Sequence, residues 1–361
     1  MESFKKLKIG FIILVFCCFA VPSALLLFGF KNANRENRPL AKLPALVEDG
    51  KANLDFASDF DRYMDDNFAL REYLVTACNK VSAALLNDYN GDSAIIGRNG
   101  ALLYSETADD YIGVDTLSAE RISSAAEFLA GLQAQYAESG AKMIFIIAPN
   151  KASVYPEFMP SYVYTVEGVR NIDLLQAALA ERGVCHIDAR GILTDAKREH
   201  AVYYLTDSHW NNYGATLVYN AAAELMGLEE YEVSAFTTAE DYRGDLVNFV
   251  YPAAEMNEQR LVYTYPRGYE PVDHRVDFDM FRVNETTSDA NGICLLMYHD
   301  SFGKSLQPIF SPSVGRLVMI KSNSPAYRAE DAVTYGADYV IIELVERNLD
   351  LLCKYAAENG Y

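Results

Sequence analysis

Two short stretches hold side chains whose types and spacing suit acyl transfer. The first, "YHDSFGKS" at residues 298–305, places Ser301 between an apolar run ending at Tyr298 and a stretch expected to be helical through Ile309. A serine there is either a cap, together with Asp300, or a nucleophile whose own N–H faces a developing oxyanion. A nucleophilic serine needs a base, and the chain has five histidines. His186 lies within the strand-like "VCHID", His200 in the charged run "KREHA" and His274 in an aperiodic segment. His299 is two residues from Ser301, a poor position for a base. His209 remains, in "YYLTDSHWNNYGA".

Asp207 and His209 are i and i+2, so an extended backbone points both side chains the same way, with Cα atoms ~6–7 Å apart. A carboxylate at that spacing reaches the imidazole Nδ1–H, fixes its tautomer and supports the imidazolium formed when Nε2 takes the serine proton. The bland alternatives for Asp-x-His are a loop hydrogen bond or half a metal site. Trp210, the single tryptophan, follows and is a candidate pocket wall or sugar-stacking ring. Lys151, Asn323 and Tyr298, at or near the ends of three apolar strands, complete the candidate substrate-binding set, with Tyr155 beside them. No zinc pattern or Cys-x-x-Cys occurs among the six cysteines, so neither a metal nor a cofactor is expected, and disulfides stay undecided.

These residues need a frame. "KMIFIIA", "VCHID", "GICLLMY", "GRLVMIKSN" and "ADYVIIELV" read as strands, several of them unbroken apolar runs. Helical periodicity separates them at 117–139, 168–183, 213–226 and 326–336, with a last helix from about 346. That alternation predicts an α/β fold whose mainly parallel sheet is covered on both faces. Residues 229–290 lack periodicity and read as an irregular insertion. Asn99-Gly100 marks a turn before a short strand.

Composition sets the surroundings. Half of the 361 residues are hydrophobic and 22% are charged, which suits a folded chain. From Ile9 to Phe30 there is no charge, and Lys5, Lys6 and Lys8 precede the run. That length crosses a bilayer, and the lysines keep the N-terminus cytoplasmic. A cleaved signal peptide shares the polarity, but the run is longer than a usual signal core and lacks a clear cleavage site, which favours a retained anchor. The expected organisation is an anchor over 1–31, a juxtamembrane segment and helical arm over 32–95 that packs on the main domain, and a catalytic domain over 96–361. The net charge is −19, and residues 1–31 carry +3, so the exported part is near −22. Such a surface repels phosphate backbones, and nucleic acid is not an expected partner.

Several segments in order, "ENRPLAKLP", "FDRYMDDNFALR", "APNKASVYPE", "DSHW" with "NNYGA", "DSFGKSL" and "DYVIIELVERNL", resemble the SGNH-hydrolase-like alginate O-acetyltransferase family (AlgJ/AlgX-like), especially its DHHW-type relatives. The resemblance covers nearly all of the chain after the anchor. It implies an SGNH-like three-layer sandwich and a triad of nucleophile Ser301, base His209 and orienting Asp207. It also implies transfer of acetyl through an acyl-serine to hydroxyls of an exported polysaccharide, with a multi-pass membrane O-acyltransferase as partner. Ser208 stands where the DHHW motif has histidine, and His299 where a glycine often precedes Asp-Ser. The same triad would serve a carbohydrate esterase, and the same fold a non-catalytic glycan-binding envelope protein.

Overall fold

The computed structural model describes residues 2–30, 40–48, 50–86, 93–164, 168–232, 236–262, 268–272, 281–322 and 326–361. His274 and Asn323 lie outside them. Two units are present, one of Met1–Gly91 with Val247–Met256, the other of Asp92–Leu246 with Asn257–Tyr361.

The first unit is helical. Helix α1 (Glu2–Leu27) contains Phe4–Leu26, 23 residues of mean hydropathy 2.6, long and apolar enough to cross a membrane. Helix α2 (Phe56–Asn67) spaces Phe56, Phe60 and Tyr63 along one stripe, the first two with stacked rings 5.8 Å apart. Leu70, at φ 63, turns the chain into α3 (Arg71–Leu86). The short helix Val247–Val250 joins this unit from far along the chain, where Asn79 Nδ2–H donates to the Val250 carbonyl at 2.7 Å. An arm confined to residues 32–95 therefore omits part of its own packing.

The second unit is built on a seven-stranded sheet. Its strands are β1 (Lys142–Ala148), β2 (His186–Ile187), β3 (Glu270–Val272), β4 (Phe281–Thr287), β5 (Cys294–His299), β6 (Arg316–Ser322) and β7 (Tyr339–Val345). The spatial order is β2-β1-β7-β5-β6-β4-β3. The first five are parallel, while β4 and β3 add on antiparallel. Covering it are α4 (Ala119–Glu138), α5 (Asn171–Glu181), α6 (Ala189–Ala196), α7 (Asn212–Met226), α8 (Ala329–Tyr335) and α9 (Leu349–Glu358). Successive strand side chains alternate between faces. Phe145, Leu296, Val340 and Ile342 pack with α4, α5, α8 and α9, whereas Ile146, Leu295, Met297 and Ile341 pack with α6 and α7. Burial on both faces is why these strands read as unbroken apolar runs.

Two expectations change. Residues 229–290 are not irregular throughout, because β3 and β4 extend the sheet and Thr237–Tyr242 pairs antiparallel with Glu258–Val262. These strands carry many polar residues, such as Asn284, Glu285, Thr286 and Thr287 in β4, so the pattern escapes a search for long apolar runs. The chain after Ser301 is not one helix but a 3₁₀ turn, Phe302–Ser305, followed by the single turn Gln307–Phe310. Gly303 and Pro308 oppose a continuous helix there. The turn at Asn99-Gly100 forms with φ 58 and 79 between the paired segments Ala94–Ile96 and Leu102–Tyr104.

Gly303 lets that turn lie against the end of β5, since a Cβ there would sit 2.4 Å from His299 Cβ and 2.8 Å from its Cγ. Gly303→Ala should lower stability by about 1–3 kcal/mol through overpacking. Gly292→Ala, whose Cβ would enter open space, should change it far less. Urea midpoints of the two variants compare them directly.

Candidate active site

In parallel sheets the loops after the C-terminal strand ends collect the functional groups. Ser301 follows β5 and is held by its neighbour, for Asp300 Oδ1 accepts the Phe302 N–H at 2.9 Å and Oδ2 the Val345 N–H at 2.7 Å. The Asp300 N–H in turn donates to Glu343 Oε2 at 3.1 Å. Burial, reinforced by the charge of Asp300, pushes the Glu343 carboxyl well above the usual carboxylate range. Asp300 thus clips the serine turn to the end of β7.

His209 reaches the same place from a loop. An antiparallel bridge between Tyr203 and Trp210 closes residues 203–210 on themselves, and the Asn211 side chain caps α7 through the Gly214 N–H. Glu258 accepts the N–H groups of Leu205 and Thr206, at 2.6 and 2.9 Å, steadying the stretch that leads into Asp207. The result is a continuous line. Ser301 Oγ is 2.8 Å from His209 Nε2, and His209 Nδ1 is 2.6 Å from Asp207 Oδ1. With Nδ1 carrying the proton toward Asp207, Nε2 is left as the acceptor for the serine hydroxyl.

Asp207 is 3% exposed and accepts from four donors. Besides His209 Nδ1–H these are the His209 N–H, the Tyr242 hydroxyl and the Asp245 N–H, each at 2.8 Å. Burial alone would raise its pKa. The hydrogen bond and charge of His209, with the backbone donors, instead bring it down to about 2. Asp245 forms the far wall, accepting the Ser208 N–H at 2.8 Å and its hydroxyl at 2.7 Å, with Oδ2 3.6 Å from His209 Nδ1. Burial and then the Asp207 charge raise the Asp245 carboxyl, so the two acids differ in their hold on a proton. Asp207, His209 and Asp245 have ligand atoms within 4.8 Å of one another and could together hold a cation, but Nδ1 would have to leave Asp207 to do so.

Asp207, His209 and Ser301 therefore meet, and the other described residues of the predicted set do not join them. Trp210 is 1% exposed, its indole N–H donating to the Phe302 carbonyl and Ser305 Oγ, so it buttresses the serine turn and offers no face to a sugar. Lys151 is 4% exposed and donates to the carbonyls of Leu102 and Leu205 at 2.6 and 3.1 Å; burial lowers its pKa to about 8. It staples backbone and does not face substrate. Tyr298 is 1% exposed, its hydroxyl donating to Asp331 Oδ2 at 2.5 Å within the helical layer. Tyr155 is buried too, with its hydroxyl accepting the Val202 N–H. Position along the sequence alone does not say which way a side chain turns, and hence these four mislead. His299 is buried with Nδ1 on the Asp300 carbonyl, and burial lowers its pKa to about 4. Tyr242 and Asp245 were missed because they sit in the aperiodic segment, far from Asp207 in sequence. All six cysteines are unpaired.

Residues 95–282 match a family described as SGNH hydrolase-like domain, acetyltransferase AlgX. The chain belongs to this family. A probable alginate O-acetylase AlgJ from Pseudomonas syringae is 23% identical over 205 residues, which cover 53% of this chain and 49% of that protein. The chain spans about half the length of the curated relatives it matches. Among solved structures, a DHHW family protein from Eubacterium siraeum superposes with a TM-score of 0.54 at 14% identity, covering 73% of this chain and 94% of that one. Bacillus cereus PatB1 does so with a TM-score of 0.53 at 14% identity, over 72% and 97%. The SGNH-like α/β fold expected of this AlgX-family chain is the one it has.

Beside the site, Glu346 is buried and accepts the Asn150 N–H at 2.7 Å. Burial and the charge of Asp110 raise its pKa to about 7 from 4.5. A folded-state pKa above the unfolded value means the native state binds more protons in that window, so stability should fall as pH rises from 4.5 through about 7. Urea titrations at pH 5 and pH 8 should show that loss in the wild type and a smaller one in Glu346→Gln.

Proposed function

We propose that the protein is an extracytoplasmic O-acetyltransferase that passes acetyl through Ser301 to a hydroxyl of an exported polysaccharide. The observation that carries this reading is the unbroken line Ser301–His209–Asp207, at 2.8 and 2.6 Å, in a chain of the AlgX acetyltransferase family. The curated relatives bear the name alginate O-acetylase, which supports a polysaccharide acceptor. Helix α1 supports a membrane anchor, and the lysines in its first turns support an outward-facing catalytic unit.

In the first half-reaction His209 Nε2 takes the Ser301 proton as Oγ attacks the acyl carbonyl of the donor. The C–O bond to the leaving group then breaks, and His209 returns the proton to that group. In the second, His209 takes the proton of the acceptor hydroxyl as its oxygen attacks acetyl-Ser301, the acetyl–Oγ bond breaks, and His209 returns the proton to Ser301 Oγ. Asp207 keeps Nδ1 protonated and balances the imidazolium in each half. Of the amides in the serine turn, Phe302 N–H is held by Asp300, which leaves the Ser301 N–H for the oxyanion. Acetyl has to be delivered across the membrane, the task of a multi-pass acyltransferase partner.

Intact-mass spectrometry of the protein without α1, after incubation with an activated acetyl ester, tests the reading. An acetyl adduct should map to Ser301, be absent from Ser301→Ala and form roughly 10³-fold or more slowly in His209→Ala. Added polysaccharide with free hydroxyls should collect the acetyl group. Loss of the adduct to water alone, whatever the acceptor, would make the protein an esterase, and failure of the wild type to form it would remove the acyl-serine mechanism.

A further inference from the structure

Strand β7 reads "YVIIELV", an apolar run with one acid in it. Glu343 is 1% exposed, and a glutamate so buried either finds a partner for its charge or keeps its proton. Its Oε2 accepts the Asp300 N–H at 3.1 Å, while Oε1 is buried without a hydrogen-bond partner. The Glu343 and Asp300 carboxyl groups also meet each other, and among the described residues no lysine or arginine pairs with either.

Two buried acids in contact without a cation do not both ionise, so one proton stays between them. Asp300 has the stronger claim to the charge, because it accepts the Phe302 and Val345 N–H groups at 2.9 and 2.7 Å. Glu343 has the longer bond from the Asp300 N–H and a lesser pull from the Gly303 N–H, and burial outweighs both. The other titratable groups around the pair supply no balancing charge. His299 is neutral, since burial lowers its pKa to about 4, and burial keeps the hydroxyls of Tyr327 and Tyr203 protonated. Lys304, on the serine turn, is exposed. Asp300 in turn clips that turn to β7, so whatever holds Asp300 also aims Ser301 at His209.

We propose that Glu343 is a positioning residue that works as a neutral acid, its O–H donating to Asp300 and so holding the Ser301 turn beneath His209. This rests on the acyl-serine reading and adds to it an alkaline limit. Once the Glu343 proton is lost to solvent, two anions face each other in a buried site, and the clip loosens. The raised pKa places that loss on the rising side of the pH scale. The alternative is that Glu343 only fills space under the turn.

The experiment compares the full-length wild type in detergent with Glu343→Gln and Glu343→Leu. Glutamine copies the neutral acid, with an oxygen for the Asp300 N–H and an N–H for its carboxylate, whereas leucine offers neither. Acetylation of Ser301 by an activated ester should match wild type within about threefold at pH 7 in Glu343→Gln and fall roughly 10-fold or more in Glu343→Leu. As pH rises further the wild-type rate should drop reversibly, and Glu343→Gln should keep its rate. An identical alkaline drop in Glu343→Gln, a slow but folded Glu343→Gln at pH 7, or a Glu343→Leu as fast as wild type would each overturn the proposal. Infrared spectra taken at pH 8 separate it from the acyl-serine reading. A protonated-carboxyl band present in wild type and lost in Glu343→Gln supports the neutral acid even if no acyl-serine forms, and no difference between the two spectra overturns it even if one does.

Discussion

Asp207 has to remain a carboxylate while almost wholly removed from water, and the architecture around the serine follows from meeting that demand. A buried anion is tolerated only when its lone pairs are filled by well-placed donors. Here the donors come from three places: the histidine that follows it in the same loop, a backbone N–H at Asp245, and the Tyr242 hydroxyl at the end of a separate strand. Each donor therefore also fixes a piece of chain. Gly244 permits the approach, because a Cβ there would lie 2.2 Å from the Thr206 carbonyl oxygen. The segment between α7 and the sheet edge, which looks like decoration in sequence, holds the anion that orients the histidine.

The serine side joins rigid secondary structure to a buried carboxylate of its own, Asp300. Parallel strands β5 and β7 end side by side, and Asp300 bridges them through two backbone N–H groups. The short 3₁₀ turn then presents Ser301 while Trp210, from the histidine's loop, donates into it at Phe302 and Ser305. Loop and turn are thereby tied at a second point besides the His209–Ser301 hydrogen bond. Such double attachment holds two groups from distant parts of the chain within hydrogen-bond distance.

Much of this was legible because it rests on short-range pattern. Unbroken apolar strands announced a sheet covered on both faces. Asp-x-His in an extended loop and a serine after a strand end announced the three residues that meet. What could not be read was direction and long-range partnership. Lys151, Tyr298 and Trp210 occupy suggestive positions, yet each turns into the protein, and only tertiary packing decides that. Tyr242 and Asp245 carry no local signature, since their contribution exists only once a distant loop has folded against them. The break of the expected helix after Ser301 was visible in Gly303 and Pro308, whose cost outweighs the helical spacing of the apolar residues.

The central claim is that Asp207, His209 and Ser301 act as one unit, and a mutant cycle tests it most directly. Rates of activated acetyl ester consumption would be measured for Asp207→Asn, Ser301→Ala and the double variant, each checked for native fold. If Asp207 acts only through His209 on the Ser301 hydroxyl, its loss costs nothing once that hydroxyl is gone, and the double variant should match Ser301→Ala within about threefold. Losses that multiply would show that Asp207 and Ser301 serve separate purposes, and the triad account would be wrong.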